Sequence, residues 1–116
     1  CNLFGDPSVI AHKIEVLHEH CRAAQRDPSE IAITQLSSVL CAPDPDALAA
    51  TLAAQSSDDR PAEIVADRLL AGTVDDHVGR FRALADAGVD EVIVSLADVG
   101  DPGSVERFAP VIDRFR

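Results

Sequence analysis

The 116 residues carry 10 Lys plus Arg against 20 Asp plus Glu, a net charge of −10 with neutral His, and 47% are apolar. That composition is globular, too apolar for a disordered tail, and the length suits one small domain or a piece of a larger one. One Lys (Lys13) and nine scattered Arg offer no phosphate-neutralising patch for nucleic acid, four Phe without Trp or Tyr make no base-stacking platform, and a negative chain gains nothing from an anionic membrane. No apolar run approaches the ~20 residues of a membrane helix.

Asp6-Pro7 opens the first predicted helix, since Asp caps free N–H groups and Pro suits the first helical position. Ile10, Ile14, Leu17, Cys21 and Ala24 form its apolar stripe over 7–25, and Asp27-Pro28 stops it. The branched run near Ile31–Val39 predicts a strand over 31–39. A second Asp-Pro start at Asp44-Pro45 leads into an Ala-rich helix over 45–55, followed by a polar loop. A helix from Pro61 through Leu70 is expected to end at Gly72. Thr73 then caps a helix with Asp75 and Asp76 in its first turn and Val78, Phe81, Leu84 and Ala85 inward, closed by Gly88. Val92–Leu96 is almost continuously apolar, which predicts a strand covered on both faces. The last helix follows Asp101-Pro102-Gly103-Ser104, with Val105, Phe108, Ile112 and Phe115 inward.

Alternation of strands and helices argues for parallel β/α units with right-handed crossovers. Only three strands are read, whereas a closed (β/α)₈ barrel needs eight and about 200 residues or more. The chain also opens at Cys1 without Met or a signal-peptide pattern, and Cys1–Gly5 reads as the end of a strand already under way. The expectation is that the N-terminal part of a longer protein precedes it. Three Cys (Cys1, Cys21, Cys41), twenty apart, form neither a disulfide framework nor a CxxC pattern, so idle thiols in a reducing cytoplasm are expected.

Cys1-Asn2-Leu3-Phe4-Gly5-Asp6-Pro7, then Lys13-x-x-x-Leu17-x-x-His20-Cys21 and Arg26-Asp27, resembles the late part of luciferase-like monooxygenases, in particular the branch of coenzyme F-420-dependent oxidoreductases. Ala71-Gly72-Thr73-Val74-Asp75-Asp76-His77-Val78 and Ala87-Gly88-Val89-Asp90-Glu91-Val92-Ile93-Val94 are similar to the family's Gly-Thr-Pro-Glu-Glu-Val helix start and Ala-Gly-Val-Asp strand start. The final helix, 104–116, is the third match. The resemblance implies an α/β chain forming the C-terminal third of a TIM (β/α)₈ barrel, about three parallel strands with flanking helices. It also implies hydride transfer, or oxygen activation in the luciferase branch, on coenzyme F-420 (favoured) or flavin mononucleotide (FMN), with a small-molecule substrate. A homo-oligomer is compatible with it. The family's Gly-rich loop and early strands would lie upstream of Cys1, so the fragment alone is expected to be inactive. Val74 replaces the family's usual Pro.

The candidate cofactor-binding residues are Asn2 and Gly5, at the end of the first strand, and Arg68, Gly72 and Thr73, near a helix N-terminus able to hold a phosphate. Against each stands a plainer role: a strand end and cap, a solvated Arg, an ordinary Thr cap beside two Asp that would repel an anion. Ser95, Leu96 and Asp98 end the last strand on the same side, where Asp98 either meets a substrate or lies in a polar loop. His18 and Cys21 share a helix face, but His12 and His20 point elsewhere, so no metal set converges. His77 is expected at the surface. The competing reading is a non-catalytic α/β binding or interaction module that pairs through exposed strand edges and helix stripes.

Overall fold

The computed structural model describes residues 1–116. Its elements are β1 (Asn2–Leu3), α1 (Pro7–Ala23), a 3₁₀ turn (Pro28–Glu30), β2 (Thr34–Ala42), α2 (Pro45–Gln55), α3 (Ala62–Arg68), β3 (Ala71–Thr73), α4 (Val74–Asp86), β4 (Glu91–Leu96) and α5 (Ser104–Asp113). This is an α/β architecture in which β2 pairs with each of the other three strands. No helix is long and apolar enough to cross a membrane.

The chain divides into two compact units, one of residues 1–36 and 80–93, the other of 37–79 and 94–116. In the first, β1 pairs parallel with the start of β2, Asn2 opposite Thr34 and Leu3 opposite Gln35. Asp90 and Glu91 N–H both donate to the Ile33 carbonyl, at 2.9 and 3.2 Å. The Asp90 side chain returns the contact: its Oδ2 accepts from Ile33 N–H at 2.8 Å. Helix α1 starts where Asp6 accepts from Val9 N–H at 3.0 Å, and Pro7 fills the first turn. Ile10 (0% exposed), Ile14 and Cys21 are its buried stripe. Fully burying a side chain like Ile10 contributes about 1.5–3 kcal/mol.

In the second unit β3 runs parallel to the end of β2, with Leu40, Cys41 and Ala42 opposite Ala71, Gly72 and Thr73. Ala97 N–H donates to Val39 O at 2.8 Å. The core holds Val39, Leu40, Cys41, Ala42, Val65, Ala71, Val78, Phe108 and Val111.

Several expectations are corrected. Strand β2 spans Thr34–Ala42 rather than 31–39: Asp27-Pro28 starts a 3₁₀ turn whose last bond, Ile31 N–H to Pro28 O at 3.0 Å, holds Ile31 in the turn, and the ladder with β1 begins only at Thr34 opposite Asn2. The helix expected to end at Gly72 ends at Arg68 instead. Leu70 takes the left-handed conformation (φ +41°) that ends the turn, which frees Gly72 to join β3. Strand β4 is not covered on both faces. Its residues alternate between exposed and half-buried, and Ile93 is 46% exposed. The inward stripe of α5 is Ser104, Phe108 and Val111, spaced four and three, while Val105, Ile112 and Phe115 are exposed. Ala85 of α4 is exposed and Ala24 lies past the end of α1.

Candidate functional site

The five residues singled out from the sequence fall into both units, and each is placed within its own. In the first unit Asn2 is exposed on β1, and its Oδ1 accepts from the Thr34 hydroxyl at 3.2 Å. Gly5 has φ +134°, and a Cβ there would lie 2.8 Å from Val9 Cγ1. The turn it makes is pinned by Lys13, whose Nζ donates to Phe4 O at 2.7 Å. Gly5 thus joins β1 to the Asp6 cap of α1.

In the second unit Arg68 is the last residue of α3, exposed and without an ion pair. Gly72 is a buried strand residue opposite Cys41. Thr73 leads directly into α4. Its N–H donates to Asp76 Oδ2 at 2.8 Å, its hydroxyl donates to the same oxygen at 2.9 Å, and Asp76 N–H reaches the Thr73 hydroxyl at 3.5 Å. This is a reciprocal cap of the capping-box kind, with Asp in place of Glu. An incoming phosphate would meet the Asp76 carboxylate already on the Thr73 N–H.

His77 is not at the surface. It is fully buried, and its Nε2–H donates to the Leu40 carbonyl at 3.0 Å, since a carbonyl only accepts. Its ring meets Phe108 edge-on, with centroids 6.1 Å apart. A single His on an otherwise ordinary helix face gives no sequence sign of this; the contact depends on where β2 and α5 bring Leu40 and Phe108.

One concavity in the second unit brings together residues that no sequence spacing connects. A cleft of about 390 Å³ lies at the C-terminal end of β2, lined by Leu40, Cys41, Ala42 and Pro43, by Thr51 and Gln55 of α2, and by Asp98, Asp101 and Arg107. The carboxyl ends of parallel strands are where open α/β sheets place their ligands. Of the residues weighed from the sequence, Asp98 and the thiol of Cys41 are here. Arg107 Nη2 donates to Asp98 Oδ2 at 2.5 Å and to Asp101 Oδ2 at 2.7 Å. Asp101 Oδ1 also accepts from Gly103 N–H at 2.9 Å. Gly103 leaves room for Arg107 to fold back over the loop, since a Cβ there would lie 2.8 Å from Nη1.

The Gly103 N–H first, and then Arg107, hold the Asp101 carboxyl below the usual carboxylate range. Asp98 and Asp101 raise Arg107 in turn. Cys41 is buried, and its thiol donates to Arg107 O at 3.5 Å. Burial pushes that thiol up, opposed by Arg107 and reinforced by Asp98. It is therefore a poor nucleophile at neutral pH. The signal that could have revealed this cluster is the Asp-x-x-Asp loop before a helix carrying Arg in its first full turn.

Compared with known proteins, the chain matches no protein-family model and no curated protein sequence.

Proposed function

We propose that the chain is the C-terminal third of a cytoplasmic (β/α)₈-barrel oxidoreductase of the luciferase-like kind, which transfers hydride on coenzyme F-420, or else on FMN, to a small-molecule substrate. The observation that carries this reading is the order of the motifs on the elements. Asn2–Pro7 joins a strand to a helix, Gly72-Thr73 joins a strand to α4, and Ala87–Val94 joins α4 to β4. Those are the βα and αβ junctions at which such barrels carry their recurrent residues. A second support is the exposure of apolar strand residues in the first unit: Leu36 of β2 and Ile93 of β4 are 42 and 46% exposed. Apolar side chains at strand positions suit the interior layers of a barrel.

In this reading the flavin-type ring supplies the redox chemistry, and the chain supplies binding groups. Arg68, with no internal ion pair, is the residue available to a cofactor phosphate. Gly72 and Thr73 shape the strand-to-helix turn beside it. Asn2 and Gly5 form the corresponding strand end in the first unit. The exposed apolar positions equally suit the alternative, an interaction module without catalysis.

The test is expression of the protein from its own start codon, followed by fluorescence titration with coenzyme F-420 and, in parallel, FMN. Saturable micromolar binding of either, weakened about tenfold by Arg68→Ala, supports the proposal. A start codon directly before Cys1 with no binding of either cofactor overturns it in favour of the interaction module.

A further inference from the structure

The cleft at the end of β2 carries an inference that goes beyond the cofactor reading and does not depend on it. Its ion cluster is unbalanced. Two carboxylates, Asp98 and Asp101, face one guanidinium, Arg107, leaving one negative charge in excess, in a chain whose net charge is −10. Both oxygens of Asp101 are engaged, one on Gly103 N–H and the other on Arg107. Asp98 is not: Oδ2 takes Arg107, while Oδ1 has no partner within the chain, and the side chain is 23% exposed. Thr51 donates its hydroxyl hydrogen to Ala47 O at 2.9 Å, so only acceptor capacity remains on its oxygen. Gln55, exposed at the end of α2, adds an amide to the lining. Beside these acceptors lie the apolar Leu40, Ala42 and Pro43.

We propose that this cleft binds a small organic cation, an alkylammonium head with a short apolar chain. An ammonium group carries three donors and no acceptor, which matches a free carboxylate oxygen, a hydroxyl lone pair and an amide carbonyl. The bond to Asp98 is charge-assisted, and the chain lies on the apolar wall. A phosphate or carboxylate ligand meets the opposite situation. Arg107 is already committed to two carboxylates, and the field of the site repels anions.

The experiment is an NMR titration of the uniformly ¹⁵N-labelled chain at neutral pH with n-butylammonium chloride. Sodium n-butyrate at matched ionic strength is the control of equal chain length and opposite charge. The expected result is saturable amide shifts confined to the residues around Cys41–Pro43, Thr51, Gln55 and 98–101, with a response to butyrate at least about tenfold weaker. Asp98→Asn should weaken butylammonium binding by about tenfold, and Thr51→Val by a smaller factor. Thr51→Val serves alone if Asp98→Asn fails to fold, because it leaves the Arg107 cluster intact. The proposal is overturned by the absence of saturable shifts with butylammonium, by an equal response to butyrate, or by binding that Thr51→Val leaves unchanged. None of these results bears on coenzyme F-420 or FMN binding, so the two proposals fail separately.

Discussion

At the scale of single residues, Gly5, Asp90 and the three cysteines hold roles that their chemistry makes measurable. Gly5 combines a φ of +134° with a Cβ position 2.8 Å from Val9 Cγ1. Gly5→Ala therefore meets both backbone strain and a contact with a branched side chain. A loss of about 1–3 kcal/mol is expected in urea unfolding. Adding Val9→Ala should recover the part due to the contact and leave the part due to φ. Asp90 accepts the Ile33 N–H through its side chain in a partly buried setting. Asp90→Ala leaves that donor unpaired and should cost about 1–3 kcal/mol, whereas Asp90→Asn, whose amide oxygen still accepts, should cost less. The cysteines differ in access: Cys1 is exposed, while Cys21 and Cys41 are buried. Iodoacetamide should alkylate Cys1 first in the folded chain, with Cys41 modified only on unfolding; mass spectrometry of the digested protein reads the order. Rapid modification of native Cys41 would contradict both its burial and its raised pKa.

At the scale of elements, local chemistry was the readable part. Of the four Asp-Pro pairs, the two read as helix starts are so: Asp6 and Asp44 accept from N–H groups three residues on, at 3.0 and 2.8 Å. The α4 cap at Thr73 was equally legible, and Thr73→Ala should lower stability by about 1 kcal/mol, seen as a lower midpoint in thermal unfolding by circular dichroism. What the pattern could not show was phase and cover. Val105, Phe108, Ile112 and Phe115 and the true inward set Ser104, Phe108 and Val111 share one residue. Both sets satisfy helical spacing, and only packing against the rest of the fold selects between them. The run Val92–Leu96 reads as a doubly covered strand by composition. Composition does not reveal whether anything lies on the second face, and here it is open. Strand β3 was hidden because three residues, one of them Gly, carry no period; its existence follows from pairing with Leu40–Ala42. The cleft was illegible for the same reason. Cys41, Thr51 and Arg107 are far apart in sequence, and no spacing rule connects them.

At the scale of the whole chain, charge dominates, and two effects of opposite origin can be separated. With a net charge of −10 the folded chain repels itself at neutral pH. Salt screens exposed charges beyond about 8–10 Å at ionic strengths near 0.1–0.15 M, so raising salt from low values should raise the unfolding midpoint. Lowering the pH also reduces the negative charge, which by itself would stabilise. Three carboxylates work against that. Asp6 is held below the usual carboxylate range by the Ser8 hydroxyl and then Val9 N–H, Asp27 by Ser29, and Asp101 by Gly103 N–H and then Arg107. A carboxylate whose pKa is lower folded than unfolded binds fewer protons in the folded state. Its contribution is complete above the unfolded value and is lost as the pH falls through the folded one. All three are exposed, so each contribution is modest, but Asp6 caps α1, Asp27 caps the 3₁₀ turn, and Asp101 ties the loop before α5 through Gly103 N–H and Arg107. Unfolding midpoints measured at fixed ionic strength should therefore fall on acidification below the ordinary carboxylate range, despite the smaller net charge. In Asp6→Asn/Asp27→Asn/Asp101→Asn that acid-dependent loss should shrink while the salt response persists. A triple variant with an unchanged acid profile would remove these three carboxylates as the cause of the acid-dependent loss.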